Sequence, residues 1–449
     1  MATTAESRPA YPTHPDARPP AARGDAITGD RYWSKEFAER EWEHMWKKVW
    51  HLGGRLSQFE EAGDFVIHEF KHESVMMVRQ EDGAIRAFFN VCMHRGNRLV
   101  NVSEGGVNGS FACPYHGWKW GIDGKLDWVQ DPEDFAQGDP CGKLRLKELR
   151  CETWGGFVFW TFDPQAKPLL EYLDPIPTLF ANRDLENYTR VVWRTLRVNT
   201  NWKFASDNFN EAYHIPVVHP QFQPMIDDHY STSIFEMYPN GHNRMIEKLQ
   251  PSSRYPDAQQ VKPLWAQVLR EWDLDPADFE GRAQEGRVAL QQARRALGPA
   301  RGYGYFDALT DDELTDQMHH TCFPNLTLTA TVEGLHVFRT EPDANDPNWS
   351  TFDYWYLVPK VGGENEAATL YGMRPVVEAE QESGDFGEYR TTIAQGDFLE
   401  QDLSLAVTQQ KGLRSMAFED CYLAGQEMRL RRFHEVINDY LEGRAERRP

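Results

Sequence analysis

Two short Cys/His pairs constrain this chain more than anything else in it. The first is Cys92-Met93-His94-Arg95-Gly96; the second is Cys113-Pro114-Tyr115-His116-Gly117-Trp118, after an eighteen-residue gap. Whatever fold surrounds them must bring two loops together so that four donors close on one centre. Thiolates and imidazoles suit zinc or iron–sulfur ligation, and hard calcium or magnesium poorly. Zinc held by two Cys and two His is a common structural unit, but zinc fingers usually space two cysteines by two to four residues, and the first pair here is C-x-H.

A Cys and a His in each arm instead let both thiolates reach one iron and both imidazoles the other, the ligation of a Rieske [2Fe–2S] cluster. The flanking pattern agrees with a small β domain. Asp64–Phe70, Ser74–Gln80 and Ala84–Val91 read as strands, with Glu81-Asp82-Gly83 as a hairpin turn between the last two. Leu144–Leu149 and Gly156–Phe162 read as further strands. Roughly Gly53 to Pro164 is thus an antiparallel β domain with two metal-binding loops, made tight by Gly96, Gly117 and Gly121.

Composition narrows the partners. The formal net charge of −21 repels nucleic acid and anionic membrane, and no apolar run reaches the length of a membrane helix. Residues 1–25 read as a flexible, proline-rich leader without a signal pattern. Six cysteines in 449 residues do not make a disulfide scaffold. Cys141, Cys151, Cys322 and Cys421 are expected to be small buried hydrophobes in a reducing compartment, which places the protein in the cytoplasm.

Around this domain the pattern alternates between helix and strand. Ser34–Trp50 has helical spacing with Ser34 placed to cap it. Tyr188–Asn199 reads as a strand and Asn201–Tyr213 as a helix that Pro216 and Pro220 interrupt. About 251–297 is charged and helical, a solvated cover or oligomer face. Strands return at Asn325–Thr331, Leu335–Thr340 and Thr351–Val358. A helix over about Gly387–Leu413 carries Glu400-Gln401-Asp402, and a basic amphipathic helix, Gln426–Arg448, is expected to dock on its own domain. No internal repeat is present.

A second constellation lies in Asp207-Asn208-Phe209-Asn210-Glu211-Ala212-Tyr213-His214, followed by His219. Two imidazoles five apart would diverge on an unbroken helix; a break after His214 lets His219 fold back. Two His plus one carboxylate form the facial triad of non-haem iron oxygenases and leave positions open for dioxygen. Histidines five apart are, taken alone, more often structural. The dense polar residues on a helix with Trp202, Phe204 and Phe209 shift the balance, because buried polar groups need partners. Glu211 and His214 share one helix face, so the carboxylate can hold the imidazole nitrogen that is not on the metal.

Together these motifs resemble the large (alpha) subunit of Rieske non-haem iron oxygenases, the ring-hydroxylating dioxygenase group. The carriers are C-x-H-R-G with CPYHGW, NWK followed by DNF-x-E-x-YH-x4-H, and an E-x-D helix near the end. The resemblance implies an α+β fold, with a small antiparallel Rieske domain (53–164) and a catalytic domain (26–52 and 165–449) built on a helix-covered antiparallel sheet of helix-grip or START-like form. It implies that Cys92 and Cys113 ligate one cluster iron and His94 and His116 the other, and that His214, His219 and Asp402 hold a mononuclear iron. Glu400 is the alternative third ligand and Asp397 a more distant one. Electrons would come from NAD(P)H only indirectly, through a ferredoxin or flavin reductase. A homotrimer, with or without a small beta subunit, would set Glu211 between His214 and His116 of the partner subunit. Asn208 would assist at the site, and Asp207 would support it from behind. Most aromatic-ring members have Asp where Glu211 stands, and Glu looks more like the branch that acts on quaternary amines. The expected activity is hydroxylation of an aromatic or polycyclic substrate. The alternatives are a monooxygenase or demethylase of quaternary-ammonium or methoxy compounds and, from another class, a Rieske electron carrier without catalysis. A carrier would leave two-thirds of the chain unexplained. Pocket walls are expected among Phe204, Asn208, Phe209, Val217, Phe323, Leu326, Phe338 and Phe398, and Trp118 is expected to shield the cluster.

Overall fold

A computed structural model gives the fold and describes residues 22–362, 365–369, 371–390 and 397–445. Most of the leader, residues 391–396 before the E-x-D helix and the last four residues lie outside the described residues. The chain divides into two compact units, Trp42–Asp174 and the remainder. It opens with α1 (Asp30–Trp33) and α2 (Lys35–His44). Ser34 Oγ accepts a hydrogen bond from the Phe37 backbone N–H at 3.2 Å. The helix expected to reach Trp50 stops at His44, and a 3-10 turn at Trp46–Lys48 follows. Trp46 is buried there, edge-on to Phe70 with ring centroids 5.2 Å apart. Tertiary burial of one large ring overrides helix periodicity.

The Trp42–Asp174 unit contains ten strands: β1 (His51–Arg55), β2 (Asp64–Phe70), β3 (Glu73–Arg79), β4 (Ile85–Phe89), β5 (Glu104–Gly106), β6 (Ser110–Ala112), β7 (Lys119–Gly121), β8 (Leu126–Trp128), β9 (Glu148–Trp154) and β10 (Phe157–Thr161). Seven form one antiparallel sheet in the order β1-β10-β9-β4-β3-β2-β5, and β6-β7-β8 form a second. Gly83 has φ 84°, and its N–H reaches Gln80 O at 3.0 Å, closing the expected hairpin turn. The strand expected at Leu144–Leu149 begins only at Glu148; Arg145 makes an isolated bridge to Lys125 instead. The first Cys/His loop follows β4, and the second joins β6 to β7. Cys92 and Cys113 belong to the buried cluster that also holds Phe65, Phe88 and Trp120. A short helix, α3 (Leu169–Leu173), ends the unit.

The second unit is built on an eight-stranded sheet. Its elements are α4 (Ile176–Leu179), β11 (Thr189–Val198), α5 (Lys203–Phe209), α6 (Ile215–Val218), β12 (Ile234–Met237), β13 (Asn243–Glu247), α7 (Pro263–Glu271) and α8 (Gly286–Leu297). There follow β14 (Gln317–Cys322), β15 (Leu326–Ala330), β16 (Leu335–Pro342), β17 (Ser350–Val358), β18 (Glu366–Thr369), β19 (Gly372–Pro375), β20 (Glu382–Phe386), α9 (Phe398–Gly412) and α10 (Met428–Leu441). The order is β12-β13-β14-β15-β16-β17-β11-β20, antiparallel except that β20 runs parallel to β11. The architecture is α+β, as expected. Leu399, Leu403 and Val407 of α9 pack with Phe352 and Tyr354 of β17. The charged stretch around α7 and α8 is more than a solvated cover, because Trp265, Leu269, Trp272, Leu290 and Phe306 form a buried cluster of their own. Ten of the fourteen residues of α10 are buried, so this helix is packed into its own unit.

Helix α5 ends at Phe209, before the break expected after His214. Proline is not what stops it: Pro216 lies in the first turn of α6, where a missing N–H costs nothing and the fixed φ favours initiation. His214 precedes that four-residue helix and His219 follows it. All six cysteines are free thiols, and of the four scattered ones only Cys322 is buried. The others are half-buried, which corrects the expectation for Cys141, Cys151 and Cys421. Among the described residues no helix is long and apolar enough to cross a membrane.

Candidate metal centres

The two Cys/His loops share one hydrogen-bond plan. In the first, Cys92 N–H donates to Asn97 O at 2.8 Å and Gly96 N–H to Cys92 O at 3.0 Å. In the second, Cys113 N–H donates to Trp118 O at 2.8 Å and Gly117 N–H to Cys113 O at 2.9 Å. Each glycine has positive φ, 76° and 72°, which side chains with a Cβ rarely adopt. The C-x-H and C-x-x-H spacings are therefore two placements of His within one loop form. The thiols lie on the core side, both buried, and the imidazoles on the outer side, half-buried with ring centroids 4.7 Å apart. Trp118 is buried and stacks on His94 at 4.4 Å with planes 6° apart. Burial pushes the Cys92 thiol up, with the neighbouring Cys113 adding to the shift, while a backbone hydrogen bond in the loop and Trp120 act against it. Two adjacent buried thiols of this kind suit deprotonation by a metal better than free existence as thiolates.

His214, His219 and Asp402 form the second centre. One ligand atom from each lies within 4.8 Å of the others. Asp402 Oδ1 is 2.9 Å from His219 Nε2 and 3.7 Å from His214 Nε2. The opposite nitrogen of each ring is held: His214 Nδ1 lies 2.7 Å from Glu211 Oε1, and His219 Nδ1 lies 2.7 Å from Gln401 Oε1. With an oxygen acceptor at each Nδ1, that nitrogen keeps its proton, and Nε2, which faces Asp402, is the nitrogen a metal would take on displacing any proton there. The donor set thus fits a divalent metal of the facial-triad type. Burial pulls the His214 pKa down, but the charge and hydrogen bond of Glu211, aided by Asp402, outweigh it and raise it to about 9.

The other sequence candidates lie as follows. Glu400 pairs with Arg390 at 2.7 Å, and Asp397 caps α9 by accepting from Glu400 N–H at 3.1 Å; neither joins the triad. Asp207 accepts from Tyr32 OH at 2.6 Å and from His434 Nε2 at 3.0 Å in a buried network. Asn208 lines a cavity of about 230 Å³ that also contains the triad. Its Nδ2 is buried with no hydrogen-bond partner among the described residues. Phe209, Phe338 and Phe398 line the same cavity, and Phe209 stacks on Phe338 at 4.3 Å. Phe204, Phe323 and Leu326 are buried outside its lining, and Val217 is 84% exposed, so those four are not pocket walls. Sequence reasoning missed Gln401 as well as Glu247 and His319 of the sheet. Gln401 stood inside the motif that was read for its carboxylates; the other two had no local signal.

Comparison with known proteins gives the same division. The family model for the Ring hydroxylating alpha subunit (catalytic domain) matches residues 185–443, and that for the Rieske [2Fe-2S] domain matches residues 49–139. The carnitine monooxygenase oxygenase subunit of Escherichia coli (strain K12) is 34% identical over 197 residues, 43% of this chain and 52% of that protein. The large oxygenase component of the naphthalene 1,2-dioxygenase system of Pseudomonas putida is 34% identical over 193 residues, covering 41% and 42%. The matched stretch thus spans about half the length of these curated relatives or less. The fold is similar to that of naphthalene 1,2-dioxygenase from Rhodococcus sp. bound to indole, with TM-score 0.64, 19% identity and coverage of 93% and 94% of the two chains. The quaternary ammonium Rieske monooxygenase CntA in complex with L-carnitine gives TM-score 0.63, 17% identity and coverage of 92% and 95%. With the catalytic-domain match spanning more than half of its length, this chain belongs to the ring-hydroxylating alpha subunits, which combine a Rieske [2Fe–2S] domain with a catalytic domain that binds mononuclear iron.

Proposed function

We propose that this chain is the terminal component of a cytoplasmic oxygenase system. It takes electrons from a separate NAD(P)H-dependent reductase or ferredoxin and inserts oxygen into a small organic substrate. The observation that carries this reading is the triad of His214, His219 and Asp402 in the wall of an apolar cavity. Cys92, Cys113, His94 and His116 would hold the cluster, and the triad would hold the iron; when bound, these groups supply the redox chemistry of the reaction. The chain's own residues orient and exclude. Glu211 keeps a proton on His214 Nδ1, and Gln401 does so for His219. Asn208 lines the cavity, and its buried Nδ2 has no hydrogen-bond partner among the described residues. Asp207, tied to Tyr32 and His434, is a positioning residue that fixes α5. The phenylalanine rings keep water from the substrate. Function further requires a homotrimer in which Glu211 approaches His116 of the partner subunit.

A cavity of about 230 Å³ is below the roughly 300–1,000 Å³ typical of drug-sized ligands, so the substrate is compact. Phe209, Phe222, Phe338 and Phe398 favour an aromatic or small fused-ring body. A second reading, action on a quaternary amine, is favoured by the buried carboxylate of Glu247 in the same cavity. The test is oxygen uptake by the iron-loaded protein with a surrogate reductase, against aromatic acids, small fused-ring compounds and quaternary amines. Substrate-dependent uptake, lost in His214→Ala while the cluster's EPR signal persists, is expected. Electron acceptance without uptake on any substrate would instead make the chain an electron carrier.

A further inference from the structure

The cavity that contains the triad has a second polar end, on the sheet. In β13 and β14, Glu247 lies opposite Gln317 and Met245 opposite His319. Side chains alternate along a strand, so these four share one sheet face, and all four line the cavity. Glu247 is 1% exposed. Its Oε2 lies 3.0 Å from His319 Nε2. His319 is placed in turn by Thr329 Oγ1, 2.9 Å from Nδ1; the Gln317 amide nitrogen, 2.7 Å from Nε2, competes with Glu247 for that nitrogen, which holds the carboxylate only when it carries the proton. Glu247 Oε1 is also buried, and among the described residues no donor reaches it.

The nearby buried cation does not complete it. Arg429 directs its guanidinium to Asn243 Oδ1, Thr321 Oγ1 and the carbonyls of Phe209 and His319. No described hydrogen bond or ion pair joins Arg429 to Glu247. The carboxylate thus belongs to the cavity lining, while its Oε1 is closed to solvent and has no donor among the described residues; a buried acceptor without a donor is costly. The charge pattern favours a cation. Among the described residues three carboxylates, Glu211, Glu247 and Asp402, line this cavity and no Lys or Arg does; a divalent iron on the triad would offset two of these charges and leave one. The same lining holds phenylalanine rings, whose faces attract cations.

We propose that Glu247, held by His319, is the specificity-determining residue of this cavity and takes the positively charged nitrogen of an ammonium-bearing substrate, while Phe209, Phe338 and Phe398 hold its apolar remainder. The proposal rests on the oxygenase reading only for the word substrate; the binding site itself is argued from the cavity. A methylated ammonium and a protonated amine share this chemistry and differ in whether an N–H reaches Oε1.

The experiment is equilibrium binding to the iron-loaded protein of phenyltrimethylammonium, protonated benzylamine and tert-butylbenzene, the neutral isostere of the first. At least one cation is expected to bind tenfold or more tightly than tert-butylbenzene, and Glu247→Gln to erase that preference. Equal affinity of the wild type for all three overturns the proposal, as does a preference that survives Glu247→Gln. Should that variant not fold, Glu247→Asp, which keeps the charge but withdraws it by one methylene, replaces it, and an undiminished preference overturns the proposal. Tighter binding of benzylamine supports the proposal with N–H donation to Oε1; tighter binding of phenyltrimethylammonium supports it with charge alone. Oxygen uptake is read separately. Cation preference without uptake on any substrate keeps the site and removes the oxygenase reading, whereas uptake without cation preference does the reverse.

Discussion

His219 is gripped on both ring nitrogens by consecutive residues of one helix, Gln401 at Nδ1 and Asp402 at Nε2. Gln401 also accepts from Gln221 Nε2 at 2.8 Å, which fixes its amide. Replacing it with Leu removes the acceptor that sets the tautomer of His219. Iron affinity is expected to fall by about 10–100-fold, read by competition with a chromogenic chelator. Asp402 and Glu400 separate cleanly: Asp402→Asn is expected to leave purified protein without mononuclear iron, while Glu400→Gln, which only releases Arg390, keeps it. Iron content per chain decides between them, and loss in both would return the assignment to an open state. At this scale the spacing of Cys92, His94, Cys113 and His116 was legible because each pair sits within one loop. The Glu211–His214 contact is present, but not on the helix face expected for it: α5 ends at Phe209, and the two residues lie in the turn before α6. Glu247 was not legible. It ends Asn243–Glu247, a strand whose five residues are all buried, so no alternation marks the cavity face, and its partner His319 is 72 residues away.

Among the elements, α5 depends on side chains far from it in sequence. Asp207 is bonded to Tyr32 of α1 and His434 of α10, and Arg31 Nε donates to His434 Nδ1 at 3.2 Å. His434 Nε2 therefore carries the proton that Asp207 accepts. Truncation by Asp207→Ala would strand a hydroxyl, an imidazole N–H and buried cations together. It is expected to destabilise by roughly 3–5 kcal/mol, seen as a lower melting temperature, with Asp207→Asn intermediate. A loss under 1 kcal/mol would mean that α5 is held by packing alone. Strand positions such as β2, β11 and β15–β17 were legible from alternation, and α10 from helical spacing; α9, expected from about Gly387, begins only at Phe398, and the described residues 387–390 are not helical. The end of α5 was misread because proline was taken as a stop, although near the start of α6 it is a favourable first-turn residue. The pairing of β20 beside β11 joins segments nearly two hundred residues apart and leaves no local trace.

For the whole molecule, acid is the expected weakness. His320 sits on the sheet face opposite the cavity, beside Arg244 in register, with Nδ1 3.1 Å from Leu328 O. Burial, and then Arg244, push its pKa well below the ordinary value. The folded state keeps it neutral while the unfolded chain takes up a proton as pH falls through about 6.5. A group with a depressed folded pKa contributes its stability above that value and loses it below, by at most about 1.4 kcal/mol per pH unit. Wild-type melting temperature is expected to drop from pH 7 to pH 5 more steeply than that of His320→Gln; parallel curves would remove His320 as a cause. The family and its two-part organisation were legible because each metal motif is compact. The division of the sheet into a cavity face and a core face was not, since it depends on registers that only pairing defines.

The clasp of α9 on His219 would make a metal held by the triad a fastener of tertiary structure. A helix that supplies both a ligand and the acceptor behind a second ligand cannot leave the sheet without dismantling the centre. Occupancy of the centre and docking of α9 are therefore linked equilibria, each favouring the other. Removing iron with a chelator is expected to speed amide hydrogen exchange in α9 while β14–β17 stay protected. Equal exchange with and without iron would mean that the helix is held by Leu399, Leu403 and Val407 alone, and that loss of the metal goes unnoticed by the fold.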